Sequence, residues 1–537
     1  MDGFDYIVIG AGSSGSVVAR RLSDNPANRV LLVEAGGTNQ ATFIKMPAGF
    51  AKIMGQPDYF WSFPVVQQIG RRAERHSYGR GLGGSSAVNG MWYLRGQPRD
   101  FDNWRDMGLP SWGWDSIERA YREIEDYRSP GADRSRGRGG PLQITRSTYR
   151  SEVFDAIAAA CQELGIAWSS DINAPGIEAA GRTQYTVDRR GRRASAYEAF
   201  LAPVTHRANL SIVTDCLVKR IVIEDGRAVA IECERGGESI LYSARREIVV
   251  SAGVNKSPQL LMLSGVGAGS ELSRHGIPVV RELPAVGENW CDHQKMGISY
   301  DLKNHPGLNR EFSGWRLARN ALRYFVTGTG PLARVGLPIT ALVSSEGDST
   351  WPDMQLAASP FAMRTVKEMA ANPGSPISDK PGITFAGFHL RPKGRGTVRL
   401  ATANFRDAPL VDSRFWSHES DQQKALELFT MLRKMASTPA LSRYVGKERH
   451  PGSAVLSDRE IIEELRGMTD PGLHGTGTCS MGANPSDSVV DDSCRVHGVD
   501  SLRVVDCSII PMPISGNTNA PAMAIGQRAS ELLLRGR

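Results

Sequence analysis

The sequence lacks any cysteine pattern that could stabilise a fold by itself. Its seven cysteines are scattered over 537 residues, form no C-x-x-C pair and show no histidine–cysteine spacing typical of a zinc site. An odd number of isolated thiols is typical of a reducing compartment. We therefore expect free cysteines, no disulfide framework and no bound metal.

Long apolar runs are missing as well. No stretch of about 18 apolar residues occurs, which argues against a membrane-spanning helix. The chain enters its first apolar segment within five residues, which leaves no room for a signal peptide. We expect a cytoplasmic protein, and peripheral contact with a membrane stays open.

A strong charge of one sign is also lacking. The 64 basic and 57 acidic residues give a formal net charge of +7, which is small for this length. Basic clusters such as residues 189–193 lie among glycine and polar residues, as in solvated loops, so we expect no nucleic-acid partner. A chain of this length is too long for one simple core, and two domains are expected.

The first informative segment is the start of the chain. An apolar run at 6–9 leads into G-x-G-x-x-G at Gly10, Gly12 and Gly15, then a helical pattern at 16–23 and a second apolar run ending in Glu34. In such a strand–turn–helix–strand unit the glycines allow a tight turn, close approach to a pyrophosphate and close helix packing, and the acid can accept from ribose hydroxyls. The unit predicts a dinucleotide site without separating FAD from a nicotinamide cofactor.

Two further loops are rich in small residues. Residues 79–84 contain four glycines, so the backbone there could lie against a flat or phosphorylated ligand. In residues 473–482, small neighbours leave space beside His474. A neutral imidazole near pH 7 is a suitable base for an alcohol proton, although a structural histidine in a turn is the alternative that spacing alone favours.

The remaining segments give a coarse reading of the architecture. Apolar runs predict a β-meander over 209–233 and buried strands at 246–251 and 502–506. Periodicity predicts helices over 151–165, 257–265, 422–436 and 522–534, and one over 117–127 capped by Asp115 or Ser116. Residues 301–470 carry no specific motif and form the expected substrate part.

Here the motifs resemble the glucose–methanol–choline (GMC) oxidoreductase family of flavoproteins, in particular its choline-dehydrogenase-like bacterial branch. The resemblance rests on the N-terminal unit with Glu34, the loop 79–102, the segment 257–267, and H-x-x-G-T-x-x-M-G from His474 followed by N-T-N at 517–519. It implies an α/β fold, α+β overall, in which a Rossmann-like FAD-binding domain is joined to a substrate-binding domain built on a mixed or antiparallel sheet with helices. The implied bounds are 1–155, 195–300 and 470–537 for the first domain and 156–194 and 301–469 for the second.

The resemblance also implies the site residues. His474 matches the catalytic base of the family, and Asn517 matches its partner. Val88 stands where members with covalently attached FAD have a histidine, so non-covalent FAD is implied. The implied cofactor-binding residues are Gly10, Gly12, Ser13, Ser14, Gly15, Glu34, Ala35, Arg80, Gly84, Ser85, Asn89, Gly90, Met91, Val218, Asp506, Cys507, Thr518 and Asn519.

The expected reaction is the oxidation of a small-molecule alcohol, preferably a primary one, to the aldehyde. His474 would take the hydroxyl proton while hydride passes to flavin N5, and electrons would continue to a quinone-like acceptor or O2. The rate should rise with pH around the ordinary histidine value of about 6.5 unless the site shifts it. The alternatives are an oxidase that makes H2O2, a nicotinamide-dependent dehydrogenase, a non-redox lyase of the same fold and a flavin-binding protein without turnover. The particular alcohol, the acceptor and the oligomeric state cannot be predicted from these motifs.

Overall fold

The computed structural model describes residues 3–334, 336–364, 377–454 and 457–536. Within these ranges no helix has both the length and the apolar character needed to cross a membrane. The described chain folds around two sheets, one of seven and one of eight strands.

The first sheet has a parallel layer at its centre. Its apolar strands are buried because helices pack against them, among them Ser13–Leu22, which lies against the C-terminal helix Asn519–Leu534. In spatial order the parallel strands are Leu210–Val213, Val30–Val33, Phe4–Ile9, the end of Glu238–Val250, and Leu502–Val504.

The β-meander predicted over 209–233 forms the other part of this sheet without its first strand, because Leu210–Val213 pairs parallel with Val30–Val33. Cys216–Glu224 and Arg227–Arg235 pair antiparallel, and Arg227–Arg235 pairs in turn with Glu238–Val250. The last of these strands is long enough to continue into the parallel layer, so the separate strand expected at 246–251 is its second half.

The second sheet is mixed and mostly antiparallel. Helices Glu152–Glu163 and Glu419–Ala436 pack against it. Its strands in spatial order are Val445–His450, Gln294–Leu302, Gly382–His389, Met354–Ser359, Ile339–Val343, Ala179–Arg182 and Trp168–Ser169, with Asp470–Pro471 also paired to Gln294–Leu302. The two sheets confirm the predicted fold class. The domain bounds stay a prediction, and the strand Gln294–Leu302 crosses the one placed at residue 300.

Smaller elements complete the described chain. Short sheets are formed by Phe60–Pro64 with Arg75–Gly79, by Glu125–Tyr127 with Leu142–Arg146 and Gln184–Tyr185, by Val266–Gly267 with Arg281–Glu282, and by Thr397–Arg399 with Leu410–Asp412. Further α-helices are Thr42–Lys45, Phe50–Ile53, Ser85–Val88, Pro98–Asp106, Trp114–Ile124, Lys256–Leu263, Gly269–Arg274, Gly314–Thr327 and Asp458–Met468.

The predicted bounds of three helices are corrected by the structure. The helix expected at 117–127 is Trp114–Ile124 with Gly113 at its N-cap, and the chain then turns extended because buried Glu125 pairs with Arg136. The first helix begins at Ser13 rather than 16, directly after the glycine turn. The last begins at Asn519 rather than 522, since a proline in the first turn gives up no helical hydrogen bond.

Candidate active site

A single large cavity of about 1650 Å³ collects most of the residues predicted to bind the cofactor. It is lined by the first sheet's glycine turn, the loop after Tyr78, the exposed face of the second sheet and the segments around His474 and Asn517. All eighteen predicted cofactor residues except Gly15 and Arg80 line it.

The glycine turn presents backbone to the cavity. A Cβ built on Gly12 would meet no atom within 4 Å and would project into open space, whereas one on Gly15 would overlap the carbonyl oxygen of Gly10. Gly84 approaches from the second loop so closely that its Cβ would lie 2.8 Å from the Gly12 Cα. Gly12 therefore leaves room for a ligand, and Gly15 serves helix packing.

Glu34 joins the separate glycine segments. Its Oε2 accepts from the backbone N–H of Ala11 at 2.8 Å, and its Oε1 accepts from those of Gly36 and Gly81 at 2.9 and 3.0 Å. A carboxylate oxygen can accept two hydrogen bonds, so Oε2 keeps a free lone pair while the residue lines the cavity. Arg80 instead donates to the carbonyl of Ala35 and lies outside the lining.

The cavity wall also contains an unsatisfied donor. Ser13 donates to Asn519 Oδ1 at 2.7 Å, while the buried Nδ2 of Asn519 has no partner among the described residues. A buried N–H group without a partner is costly, which indicates a ligand acceptor at this position. Together with the open space at Gly12, this donor fits a phosphorylated dinucleotide such as FAD.

His474 sits at the other end of the cavity, buried, with both ring nitrogens engaged. Its Nε2 lies 2.7 Å from Asn517 Nδ2, and its Nδ1 lies 3.1 Å from His293 Nδ1. Gln355 donates to Asn517 Oδ1 at 3.2 Å, which orients the Asn517 amide with its N–H groups toward His474.

These contacts define one arrangement of protons. An amide nitrogen can only donate, so His474 Nε2 accepts from Asn517 and the ring proton lies on Nδ1. His293 must then accept at Nδ1, and its ring also makes a hydrogen bond to the backbone of Ile514. The lone pair of His474 Nε2 therefore points toward Asn517 at the cavity wall.

The backbone beside His474 is held by a buried acid. Asp292 accepts from the N–H groups of His474 and Leu473 at 2.8 and 3.0 Å, and Leu473 has a left-handed φ of +60°. Burial raises the pKa of Asp292 to about 7, against these hydrogen bonds. Burial lowers the pKa of His474 to about 3, and the positive charge of Lys295 adds to this effect. The imidazole is therefore neutral at physiological pH.

Sequence reasoning gave no site role to three of these residues, His293, Asp292 and Lys295, because no motif marks them. The usable signal was alternation along the strand Gln294–Leu302, whose odd-numbered residues are the less buried ones.

Known proteins resemble this chain over most of its length. Models of GMC oxidoreductases match residues 4–295 and 392–526. A protein named oxygen-dependent choline dehydrogenase from Brucella anthropi is 34% identical over 533 residues, covering 99% of this chain and 95% of that protein. One of the same name from Burkholderia vietnamiensis is 35% identical over 541 residues, covering 99% and 94%.

Solved structures share the fold over almost the full length. Pyridoxine 4-oxidase from Mesorbium loti matches with a TM-score of 0.87 at 27% identity and covers 99% of both chains. Formate oxidase matches with a TM-score of 0.91 at 24% identity, covering 100% of this chain and 99% of that one, which shows the fold alone.

Fold and matches together define an oxidoreductase with a dinucleotide-binding sheet and a second, mixed sheet. The chain belongs to the GMC oxidoreductase family, for which FAD is the typical cofactor. This confirms the resemblance found in the sequence, including its choline-dehydrogenase-like character.

Proposed function

We propose that this chain is an FAD-dependent oxidoreductase that oxidises a primary alcohol to the aldehyde, with His474 as the base. The observation that supports it most is the pair of His474 Nε2 and Asn517 Nδ2, 2.7 Å apart at the wall of the cavity that holds the glycine turn. A base and a hydrogen-bond donor side by side suit an alcohol oxygen, which must lose a proton and then carry carbonyl character.

FAD would be held by backbone and by short polar side chains. Its pyrophosphate suits the open space at Gly12, its ribose suits the free lone pair of Glu34, and Asn519 offers an unused donor. Val88 lines the cavity without a nucleophilic atom, which supports non-covalent binding. When bound, FAD supplies an acceptor for the two electrons that leave the alcohol carbon.

The chain's own residues manage the proton. His474 accepts it at Nε2, because its Nδ1 already carries a proton that is donated to His293. Asn517 turns its amide N–H toward the substrate oxygen in place of the imidazole. His293 and Asp292 are positioning residues: the first holds the tautomer and the second holds the backbone.

Burial of His474 has two consequences for this role. The neutral form is kept ready over the physiological pH range, and water is kept from competing for the lone pair. The protonated form is less favoured there than in water, so the proton must leave the site once the alcohol carbon is oxidised.

Two kinds of enzyme fit this proposal, and they differ in the electron acceptor. A dehydrogenase would use a quinone-like acceptor, and an oxidase would use O2 and form H2O2. The second candidate is favoured by the relatives, since curated ones are named oxygen-dependent and pyridoxine 4-oxidase shares the fold at 27% identity.

A panel of primary alcohols tests the proposal. The purified protein should be yellow, and alcohol added without oxygen should bleach the flavin absorbance. Re-oxidation by air with formation of peroxide indicates an oxidase, and re-oxidation only by an artificial quinone indicates a dehydrogenase. A colourless protein that needs a nicotinamide cofactor, or a flavin that no alcohol bleaches, would contradict the proposal.

A further inference from the structure

Lys295 lies beside the base on the face of the second sheet that borders the cavity. Strand Gln294–Leu302 follows His293, which contacts His474, and side chains alternate along a strand. Lys295 therefore shares a face with His293. In register it faces Phe388, whose ring lies 5.5 Å from the His474 ring.

The ammonium group of Lys295 is available to a ligand. Its side chain is 41% exposed and lines the cavity. Among the described residues its one ion-pair partner is Asp470, 3.7 Å away, which is also paired with Arg72. Two cations share one carboxylate, so this corner of the cavity keeps one positive charge in excess.

The charged residues along the rest of the substrate half of the cavity are also mainly basic. We define this half by the lining residues of 72–78, 295–388 and 449–475. Its charged residues are six basic ones (Arg72, Arg75, Lys295, Arg334, Arg364 and Arg449) and three acidic ones (Glu74, Glu464 and Asp470). Glu74 is already paired with Arg71 at 2.9 Å, and likewise Arg364 is paired with Asp379 at 2.9 Å and Arg449 with Asp301 at 2.6 Å. The excess of positive charge therefore rests on the other basic residues of this lining.

A quaternary ammonium substrate would require the opposite arrangement. Such cations bind over aromatic faces and beside carboxylates. Here the Phe388 ring is tilted by 35° against the His474 ring. The charged residue paired with Phe388 on the neighbouring strand is Lys295, not an acid. The nearest buried acid, Asp292, is occupied by the backbone of His474 and Leu473 and does not line the cavity.

We infer that the alcohol oxidised by this chain carries an anionic group, a carboxylate or a phosphate ester, which Lys295 binds while the hydroxyl faces His474. This inference rests on the proposed function and narrows its substrate class. It separates the chain from the relatives named choline dehydrogenases, whose named substrate is a cation.

The test compares matched primary alcohols on the FAD-loaded protein. Four alcohols of equal chain length would end in a carboxylate, a phosphate ester, a neutral amide or a trimethylammonium group, and flavin bleaching would be followed without oxygen. We expect the better anionic alcohol to reach half-maximal rate at about 10–100-fold lower concentration than the neutral one, because a charge-assisted contact is made in the bound state. The cationic alcohol should be the poorest, and added salt should weaken only the anionic preference.

Variants assign the preference to one residue. Lys295→Met should remove most of the anionic preference, and Lys295→Glu should favour the cationic alcohol over the anionic one. Lys303→Glu makes the same charge change at an exposed position outside the cavity and should leave the order unchanged. FAD content and thermal melting would show that each variant is folded, and Lys295→Met carries the test if the charge-reversed variant is unstable.

A binding measurement separates the two proposals. Butyrate and butyltrimethylammonium cannot be oxidised as alcohols, and their binding can be read from the shift of the flavin spectrum. If no alcohol bleaches the flavin but butyrate binds through Lys295, the proposed function fails while the anion site stands. Equal binding of both probes, or an anionic preference that persists in Lys295→Met, would overturn the assignment of Lys295.

Discussion

Replacing His474 by alanine tests the proposed base most directly. The variant should keep its fold and FAD, because the glycine turn and Glu34 lie in the other part of the cavity. It should lose most of the rate at which alcohol reduces the flavin. The loss should appear in the rate of the chemical step rather than in the affinity for the alcohol.

The expected size follows from the groups that remain. Asn517 offers an amide nitrogen that cannot accept a proton, and His293 does not line the cavity. With no second base at the substrate oxygen, the full contribution of a positioned base is lost. That contribution is on the order of 10²–10⁴-fold, or ~3–5 kcal/mol of barrier.

The pH profile adds a second readout. The pKa of His474 is lowered to about 3, so the neutral base is present throughout pH 5–9 and the rate should not show the inflection near 6.5 that an ordinary histidine would give. Protonation of His474 should lower the rate only as pH approaches 3. Any inflection near 7 belongs to Asp292, whose pKa is raised to about 7, and it should persist in His474→Ala.

Anaerobic stopped-flow reduction of the bound flavin measures this step without the electron acceptor. His206→Ala is the matched control, because His206 is exposed and lies outside the cavity. Added imidazole should restore part of the rate in His474→Ala, since the truncation leaves space for it. A variant that reduces flavin within about threefold of the unmodified protein at every pH would refute the role of His474.

Four further changes test the cofactor site and the fold. Gly12→Val should fold but lose FAD, because the new side chain would fill open cavity space. Gly467→Val is the control, since Gly467 is equally free of contacts but lies outside the cavity, and this variant should keep FAD. The ratio of flavin to protein absorbance measures the FAD content of both. Acid or heat should release all flavin from the polypeptide, and flavin that stays with denatured protein would contradict the role of Val88. Asn517→Ala should slow flavin reduction less than His474→Ala does, because it removes one donor and keeps the base. Arg136→Met should lower the free energy of unfolding by about 3–5 kcal/mol in urea titration, since it strands the buried Glu125 and Asp171, while exposed Arg128→Met should cost under about 1 kcal/mol.

The sequence could bring together the residues at the glycine-turn end of the cavity, where we propose the cofactor, because they lie close to one another in the chain. Gly10, Gly12 and Glu34 belong to one strand–turn–helix–strand unit. The loop with Gly84 is recognisable in the sequence because four of its six residues, 79–84, are glycine. Backbone approach needs only small residues and a turn, and both are visible in the chain. Gly15 and Arg80 are the exceptions, since they support the turn from outside the cavity.

The substrate side could not be predicted in the same way because it depends on strand register. Lys295 faces the cavity only because Gln294–Leu302 pairs with Gly382–His389 in one register, and a slip of one residue would turn it to the opposite face. The helix predicted to continue to residue 127 ended early for a similar reason. Glu125 meets its partners Arg136 and Arg95 only after the chain has folded.

The position of His474, the proposed base, is itself a product of that assembly. His474 is held at three atoms by three partners: its backbone N–H by Asp292, its Nδ1 by His293 and its Nε2 by Asn517. The first two partners are 182 and 181 residues away in sequence, and the third is 43 residues away. A loop of small residues leaves space around an imidazole but cannot choose its tautomer or aim its lone pair. The distant partners do both. A sequence signature can therefore mark His474 as the proposed base, whereas the reactivity of its imidazole depends on residues at the edge of the second sheet.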